Sequence, residues 1–196
     1  MVYGYPIRRI GRGVVEDSLC SERSLQVVYL PLVLSPISVP WVPTSRRALE
    51  ELCNFITFRS TDVFYDLGCG DGRVVIEVAK RFGIKAVGIE VRPDLVELAK
   101  INVVREGVSD KVEIIHGDFF RIPIHNATVV YAYLLTSVNR LLKPKLSSEL
   151  KPGTRVVTLD FEIPGWKPIA IRRFHDRTER RLYLYIIGVS DRAYVV

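Results

Sequence analysis

The sequence predicts an α/β protein built on a doubly wound, mostly parallel sheet of seven strands, with a C-terminal antiparallel hairpin. Short apolar runs of strand length alternate with amphipathic segments of helical period between residues 46 and 161. A glycine-rich loop joins the first such run to the helix that follows it. Strands separated by helices require right-handed crossovers, so the sheet should be parallel with helices on both faces.

The chain changes character near residue 39. Residues 1–38 begin polar and basic and then become apolar with interspersed prolines, which predicts an extended or partly disordered N-terminal extension. Residues 39–196 show regular patterning without internal repeats, so they are predicted to form one domain. A length of 196 residues with 48% hydrophobic residues is ample for a single core.

The first half of this domain contains helix signals and strand signals in turn. Thr44 or Ser45 can cap the first helix, Gly83 supplies a left-handed cap for the second, and Pro93 suits the first turn of the third. The predicted helices are Arg46–Phe58, Arg73–Phe82 and Pro93 to Gly107. The predicted strands are Val63–Asp66, Lys85–Glu90, Lys111–His116 and Ala127–Tyr133.

The second half ends in a hairpin. A helix is predicted from about Ser137 to Leu150, and Pro144 should kink it or split it in two, because proline removes a helical hydrogen bond. A strand over Thr154–Phe161 follows. Two further strands, Ile169–Phe174 and Arg181–Val189, are predicted to flank a charged turn over residues 175–180.

The glycine loop indicates the kind of ligand. Asp66 leads into three alternating glycines, Gly68, Gly70 and Gly72, with a second acid, Asp71, inside the loop. A dinucleotide-binding loop has a different spacing and receives a pyrophosphate, which two carboxylates would repel. The acids suit a ligand that carries an ammonium and a sulfonium, as S-adenosylmethionine does. The alternative is a structural turn that binds nothing.

Further acids are predicted at the same edge of the sheet. Glu90 ends the second strand and Asp118 follows the third, so both should join Asp66 at the carboxyl ends of the strands. There Glu90 can accept both ribose hydroxyls, Asp118 the adenine amino group, and Asp66 with the loop amides can hold the methionyl portion. Val91 and Phe119 would form apolar walls for the adenine, although burial in the core explains either one as well.

Composition limits the other partners. Three scattered cysteines and three separated histidines show no metal-ligand spacing, so no metal site is predicted. A net charge of +6 is compatible with an anionic partner, and nucleic acid stays open without being favoured. Prolines interrupt the most apolar stretch, so no membrane span is expected and the protein is predicted to be cytoplasmic. Sparse glutamine and asparagine suggest a thermophilic source.

These motifs carry a family resemblance. Residues 63–118 resemble motifs I to III of the class I S-adenosylmethionine-dependent methyltransferases, whose fold is Rossmann-like. The wider match, over residues 39–189, resembles the family of the archaeal broad-specificity protein lysine methyltransferase. It is carried by Val39–Thr44, Val63–Gly72, Gly117–Phe120, Ala127–Val130, Leu134–Thr136 with Asn139, Leu142–Leu146, Leu150–Val157, Phe161–Ile163 with Gly165–Trp166, and Leu184–Tyr185 with Ile187–Gly188.

The resemblance implies methyl transfer to the ε-amino group of lysines in proteins. It also implies that the segment before the first helix lies over the cofactor, which brings Thr44 to the methionyl end. Gly117 and the loop residue Cys69 are placed with the cofactor-binding residues, and Cys69 is assigned no chemistry of its own. The departure from the family is the Tyr131-Ala132-Tyr133 run after the fourth strand, which leaves the identity of the substrate open.

The end of the fourth strand is the predicted acceptor site. The residues there are Tyr131 to Thr136, without the Asn/Asp-Pro-Pro-Tyr/Phe motif typical of methyltransferases acting on nucleobase amines, so those are disfavoured. A lysine ammonium with a pKa of about 10.4 costs roughly 4 to 5 kcal/mol to deprotonate at neutral pH. Tyr131 and Tyr133, with Trp41, are predicted to line an apolar channel that lowers this cost, and Thr136 or a main-chain carbonyl to orient the amine. Ordinary strand-end packing is the alternative for both tyrosines.

Other readings stay open on the residues alone. Glu162 could attract the lysine ammonium or lie on the surface as an ordinary carboxylate. Five arginines around the final turn could dock an acidic partner or simply guard a sheet edge. For the whole chain, protein substrates with accessible lysines are favoured. An RNA or small-molecule methyltransferase and a non-catalytic cofactor-binding module are the alternatives.

Overall fold

The computed structural model describes residues 41–192. The N-terminal extension predicted over residues 1–38 lies outside the described residues. The elements, in chain order, are α1 (Arg46–Phe55), β1 (Val63–Leu67), α2 (Arg73–Phe82), β2 (Lys85–Glu90), α3 (Pro93–Arg105), β3 (Val112–His116), β4 (Val129–Ala132), α4 (Thr136–Glu149), β5 (Arg155–Leu159), β6 (Ala170–Asp176) and β7 (Thr178–Ile186).

The strands form one seven-stranded sheet in the order β3-β2-β1-β4-β5-β7-β6. The strands from β3 to β5 in this order pair in parallel. β7 is antiparallel to both of its neighbours, so β6 runs in the same direction as β5. The predicted fold class is confirmed, with the refinement that the hairpin contributes a single antiparallel strand.

Alternation along the strands divides the core between the two faces of the sheet. Phe64 belongs to the cluster that contains Leu52 of α1 and Val75 of α2, whereas Leu67 belongs to the cluster that contains Leu142 of α4. Successive strand residues point to opposite faces, so one strand serves both clusters. Helices therefore cover both faces of the sheet, as right-handed crossovers between parallel strands require.

Several element boundaries differ from the predictions. α1 ends at Phe55 and not Phe58, since Ile56 is already extended. β5 ends at Leu159 because Asp160 takes a left-handed conformation with φ 60°. α4 is one helix that contains Pro144, so of the two predicted outcomes, a kink or a split, the split does not occur; Leu142 and Leu146 on either side of the proline are buried in the core.

The hairpin turn is tighter than predicted. β6 continues to Asp176 and β7 begins at Thr178, so only Arg177, with φ 60°, separates the two strands. The prediction of a six-residue turn over residues 175–180 is therefore wrong. Residues 175, 179 and 180 pair within the β6–β7 ladder, which brings Arg180 into the sheet.

Candidate active site

The glycine loop leaves the carboxyl end of β1 in a backbone conformation that few side chains tolerate. Gly68, Gly70 and Gly72 have φ of 85°, 55° and 80°. The N–H groups of Gly68 and Cys69 both donate to the Ile89 carbonyl, at 2.9 and 3.1 Å. Because β1 lies between β2 and β4, the loop occupies the point where the strand order reverses, which is where open α/β sheets bind ligands.

Trp41 lies against this loop. A Cβ atom on Gly70 would come within 2.4 Å of the Trp41 Nε1, so a side chain at residue 70 would displace the indole as well as strain the backbone. Cys69 is buried, and a Cβ on Gly88 of β2 would meet its Sγ at 2.6 Å. Cys69 therefore packs against β2, and burial raises the pKa of its thiol strongly, which leaves it unreactive at neutral pH.

Asp66 is a buried carboxylate without a counter-charge among the described residues. It is 3% exposed and accepts no hydrogen bond from any side chain or N–H group of residues 41–192. Burial raises the pKa of Asp66 well above its usual value, and the neighbouring Glu90 and Asp71 raise it further. A cationic ligand at this position would remove that penalty, because it would supply the missing opposite charge.

The second loop acid has a protein partner. Asp71 accepts from the Arg73 Nη2 at 2.6 Å and from the Arg73 Nε at 2.9 Å, and this ion pair fixes the beginning of α2. The same guanidinium donates to the Thr44 carbonyl at 3.3 Å. Asn102 of α3 donates to the Asp71 carbonyl at 2.9 Å. The loop is therefore tied both to the segment before α1 and to α3.

Glu90, at the end of β2, organises the neighbouring backbone. Its Oε2 accepts from the Gly70 N–H at 2.9 Å, and its Oε1 accepts from the N–H groups of Val91 and Arg92, each at 2.9 Å. A carboxylate offers about four lone-pair sites. One site is still free for a ribose hydroxyl, and accepting both hydroxyls, as predicted, would require one N–H bond to be released.

The predicted adenine wall borders this carboxylate. Val91 is exposed directly after Glu90, and Phe119 is half-buried and packs on the core cluster of α4. The Gly117 N–H donates to the Glu90 carbonyl at 2.9 Å, which keeps the β3 exit beside the β2 exit. Asp118 is half-buried, its Oδ1 accepts from the Phe120 N–H at 2.9 Å, and its Oδ2 lies 3.7 Å from the Arg121 Nε, an ion pair without a hydrogen bond.

Tyr131 of β4 is the side chain that bounds the site next to Asp66. The two residues are register partners across β1 and β4, and so their side chains share one face of the sheet. The Tyr131 hydroxyl is hydrogen-bonded to the Thr44 hydroxyl at 3.1 Å, and both residues are buried. Burial raises the pKa of Tyr131 strongly, so it keeps its proton at neutral pH.

Tyr133 follows on the same face but already has a cationic partner. The Arg180 guanidinium lies 5.3 Å from the centre of the Tyr133 ring and donates to its hydroxyl at 3.0 Å. Arg180 also pairs with Asp160 at 2.6 Å, and the ring of Phe161 lies 6.2 Å from that of Tyr133. We call Tyr133, Asp160 and Arg180 the acceptor-edge network.

Two predicted contributors, Thr136 and Glu162, lie apart from this cluster, and Asn139 has a structural role close to it. Thr136 is the exposed first residue of α4, and its hydroxyl bonds to none of the described residues. Glu162 is exposed, as a surface carboxylate would be. Asn139, by contrast, is buried and donates to the carbonyls of Phe161 and Glu162 at 3.0 and 3.3 Å, which holds the segment after β5.

Sequence reasoning missed the roles of Arg73, Arg180 and Asp160. Arg73 follows the glycine loop immediately, so an acid two residues before it was an available signal. Arg180 and Asp160 gave no local signal, because they meet only through the β5–β7 pairing. The arginines expected to form one charged edge are in part neutralised, since Arg172, Arg180 and Arg181 pair with Glu51, Asp160 and Glu179.

Residues 41–192 contain no helix that is long and apolar enough to cross a bilayer. In the same range no three His, Cys, Asp or Glu side chains gather in a way that could hold a metal ion. The cytoplasmic location and the thermophilic source stay predictions.

The sheet order, the glycine loop and the acids at the strand ends define a class I S-adenosylmethionine-dependent methyltransferase. Residues 66–170 match the family model of the ANTKMT methyltransferase domain, and the chain belongs to that family. A protein-lysine N-methyltransferase of Saccharolobus islandicus is 45% identical over 152 residues, which cover 76% of this chain and 94% of that one. The mouse adenine nucleotide translocase lysine N-methyltransferase is 36% identical over 69% of this chain and 58% of its own length.

A solved structure supports both the fold and the cofactor. A structure described as an RNA methyltransferase from Salinibacter ruber, in complex with S-adenosylhomocysteine, is 43% identical with a TM-score of 0.70. The match covers 74% of this chain and 94% of the Salinibacter ruber chain. The cofactor of this chain is S-adenosylmethionine, as predicted, and the protein is a methyltransferase.

Proposed function

We propose that this enzyme transfers methyl groups from S-adenosylmethionine to the ε-amino group of lysine residues in proteins. The observation that carries the proposal is the end of β4, where the buried Tyr131 and the half-buried Tyr133 stand beside Asp66 in place of a motif that binds planar amides. The Saccharolobus islandicus relative, named a protein-lysine N-methyltransferase, supports the same acceptor.

The chain's residues fit the cofactor. Asp66 supplies an unpaired buried negative charge for the cationic methionyl end, Glu90 and Asp118 supply acceptors for hydroxyl and amino groups, and Val91 offers an exposed apolar surface. Gly68, Gly70 and Gly117 let the backbone come close to the ligand. When bound, the cofactor supplies a methyl group made electrophilic by the adjacent sulfonium. The chain's part is to hold it and to bring a neutral amine to it.

The acceptor amine must lose its proton before it can attack. At neutral pH this costs roughly 4 to 5 kcal/mol for an unperturbed lysine. Tyr131 cannot take the proton at neutral pH, because its own pKa is raised and its hydroxyl is bonded to Thr44. Burial of the lysine stem against Tyr131 and Trp41 would instead disfavour the ammonium form, so water can accept the proton as the amine enters.

Tyr133 has a more specific part in this proposal than a general aromatic wall. Because Arg180 lies over its ring and donates to its hydroxyl, Tyr133 is held in one position, and the Arg180 positive charge would lie next to the proposed acceptor channel. Asp160 keeps the guanidinium in place with a 2.6 Å contact. We infer that the acceptor-edge network fixes the outer wall of the lysine channel.

Alanine at Arg180 is expected to lower kcat/KM for a lysine substrate about 10-fold, since the Tyr133 ring loses the hydrogen bond and the cation that fix its position. Cofactor affinity should change less than about 2-fold, because the network does not touch the glycine loop. Steady-state kinetics and calorimetry measure the two quantities. Arg173→Ala is the matched control, since Arg173 is exposed on the edge strand β6 and does not belong to the network. Equal effects of both variants would contradict a role for the network.

A second acceptor class has one observation in its favour. The Salinibacter ruber structure, 43% identical to this chain, is described as an RNA methyltransferase. The absence of an Asn/Asp-Pro-Pro-Tyr/Phe motif after β4 argues against a nucleobase amine in this chain. Protease degrades a methylated protein and ribonuclease degrades a methylated RNA, so digestion of the labelled product distinguishes the two acceptors.

The test uses S-adenosylmethionine with an isotopically labelled methyl group and an archaeal cell lysate. We expect label that protease removes and ribonuclease leaves, and acid hydrolysis of the labelled protein should yield methylated lysine. Label that only ribonuclease removes would establish the RNA activity instead. No label above that of the Glu90→Ala variant in any fraction would indicate a cofactor-binding module without catalysis.

A further inference from the structure

The outward face of α3 carries an apolar stripe. Leu98, Ile101 and Val104 are 40%, 56% and 71% exposed, and they follow one another at intervals of three residues along the helix. Residues three and four apart lie on the same side of a helix, so the three side chains form one continuous strip. An exposed apolar strip of this kind is typical of an interaction surface.

The opposite side of α3 is already occupied. Leu95, Val96, Ala99 and Val103 are buried against the body of the domain, and Asn102 donates to the Asp71 carbonyl at 2.9 Å. The helix is therefore fixed by its inner face. The outer strip is additional to what the fold needs, because a helix of a globular protein usually presents polar residues to solvent.

Charged residues flank the strip with opposite signs at its two ends. Glu97, beside Leu98, is exposed and acidic, and Arg105, beside Val104, is exposed and basic. The Arg105 Nε forms an exposed ion pair with the adjacent Glu106 at 3.7 Å, and the Arg105 side chain donates no hydrogen bond to residues 41–192, so its donors can still bind another acceptor. The two charges stand at equal distances in sequence, four residues before and four residues after Ile101.

This arrangement is complementary to itself. When a second α3 is placed antiparallel with the twofold axis at Ile101, the two Ile101 side chains meet, Leu98 lies opposite Val104, and Glu97 lies opposite Arg105. Each contact occurs twice, as a twofold interface requires. A parallel arrangement would place Glu97 against Glu97 and Arg105 against Arg105.

We propose that two copies of this chain associate through the outer face of α3, antiparallel about Ile101. The apolar strip supplies the affinity, and the Glu97–Arg105 pairs set the orientation, since exposed ion pairs add little free energy but exclude mismatched partners. One helix face is smaller than the standard interface of about 1,600 Å². The dimer should therefore be weak and reversible.

Sedimentation equilibrium of the full chain at concentrations from about 10 μM to 1 mM tests the proposal in the range where small interfaces associate. We expect a monomer–dimer equilibrium that Ile101→Glu abolishes. The thermal unfolding midpoints of the unaltered chain and of Ile101→Glu should lie within about 2 °C of each other, because residue 101 is exposed. Glu113→Arg, an exposed charge reversal on β3, is the control and should leave the association unchanged.

Charge reversal tests the orientation. Glu97→Arg and Arg105→Glu should each weaken self-association at least about 10-fold, because each places like charges together twice in the dimer. Mixing the two variants should restore association as a heterodimer, and the double variant should dimerise as the unaltered chain does.

Three results would overturn the proposal. A chain that is monomeric at every concentration would show that this face does not join two copies, whatever else covers it. A dimer that survives Ile101→Glu would place the interface elsewhere. Failure of the two charge variants to associate when mixed, with each variant folded, would exclude the antiparallel register.

Discussion

Glu90→Ala is expected to weaken S-adenosylmethionine binding about 100-fold or more. The carboxylate would lose its bond to the ligand, and hydrogen bonds to charged groups contribute about 1.5–3 kcal/mol each. It would also leave three N–H groups, those of Gly70, Val91 and Arg92, without their acceptor, so the loop that receives the ligand would lose its position. Calorimetric titration of the cofactor measures this change directly.

Glu90→Gln separates the charge of this residue from its shape. Both carboxylate oxygens face N–H donors, and so an amide must turn its own NH₂ group towards a donor whichever way it is placed. We expect a loss of affinity close to that of the alanine variant. Glu113→Ala removes an exposed carboxylate from the neighbouring strand and is the control. Affinity within about 3-fold of the unaltered chain in Glu90→Ala would contradict the cofactor role.

The fold and the position of the cofactor site follow from local patterns in the sequence. Alternating glycines after an acid fix the loop, because Gly68, Gly70 and Gly72 all need positive φ. The carboxyl ends of parallel strands share one edge, so Asp66 and Glu90 had to meet there once the strands were identified. Both inferences use short-range signals and one topological rule.

The acceptor-edge network could not be predicted from short sequence patterns. Arg180 reaches Tyr133 only because β7 pairs with β5 in one register, and that register is held by the left-handed Asp160, whose N–H donates to the Arg181 carbonyl at 2.7 Å. In the sequence, the alternating charges around Arg177 have the composition of a loop. They form the β6–β7 ladder instead, and on β6, the edge strand, charged side chains protect against pairing with other chains.

In the absence of the cofactor, the unpaired Asp66 carboxylate is expected to lower the stability of the folded chain. We expect Asp66→Asn to raise the free energy of unfolding at neutral pH by about 1–2 kcal/mol, as removal of an unfavourable active-site charge commonly does. The same variant should bind the cofactor about 10- to 100-fold more weakly, because one charged interaction is lost. Denaturant unfolding and calorimetry measure the two effects.

The pH dependence gives this prediction a definite sign. Because the pKa of Asp66 is raised in the folded state, the folded chain binds this proton more tightly than the unfolded chain does. The stabilisation that protonated Asp66 contributes is fully present below the ordinary carboxyl pKa of about 3.9. It is lost as the pH rises through the raised pKa of Asp66 in the folded state. The advantage of Asp66→Asn should therefore be small near pH 4 and grow with pH.

Asp62 lies just before β1 and provides a control, because Asp62→Asn is expected to lower the free energy of unfolding whereas Asp66→Asn is expected to raise it. Burial alone would raise the pKa of Asp62, but hydrogen bonds from Arg155, the Arg59 N–H and Thr128 outweigh it and lower the pKa. Asp62→Asn should destabilise the chain by about 1–3 kcal/mol at neutral pH, since it leaves the buried Arg155 contact without its charge. If Asp66→Asn were destabilising like Asp62→Asn, the Asp66 carboxylate would have a favourable partner, and the free negative charge assigned to the methionyl end of the cofactor would not exist.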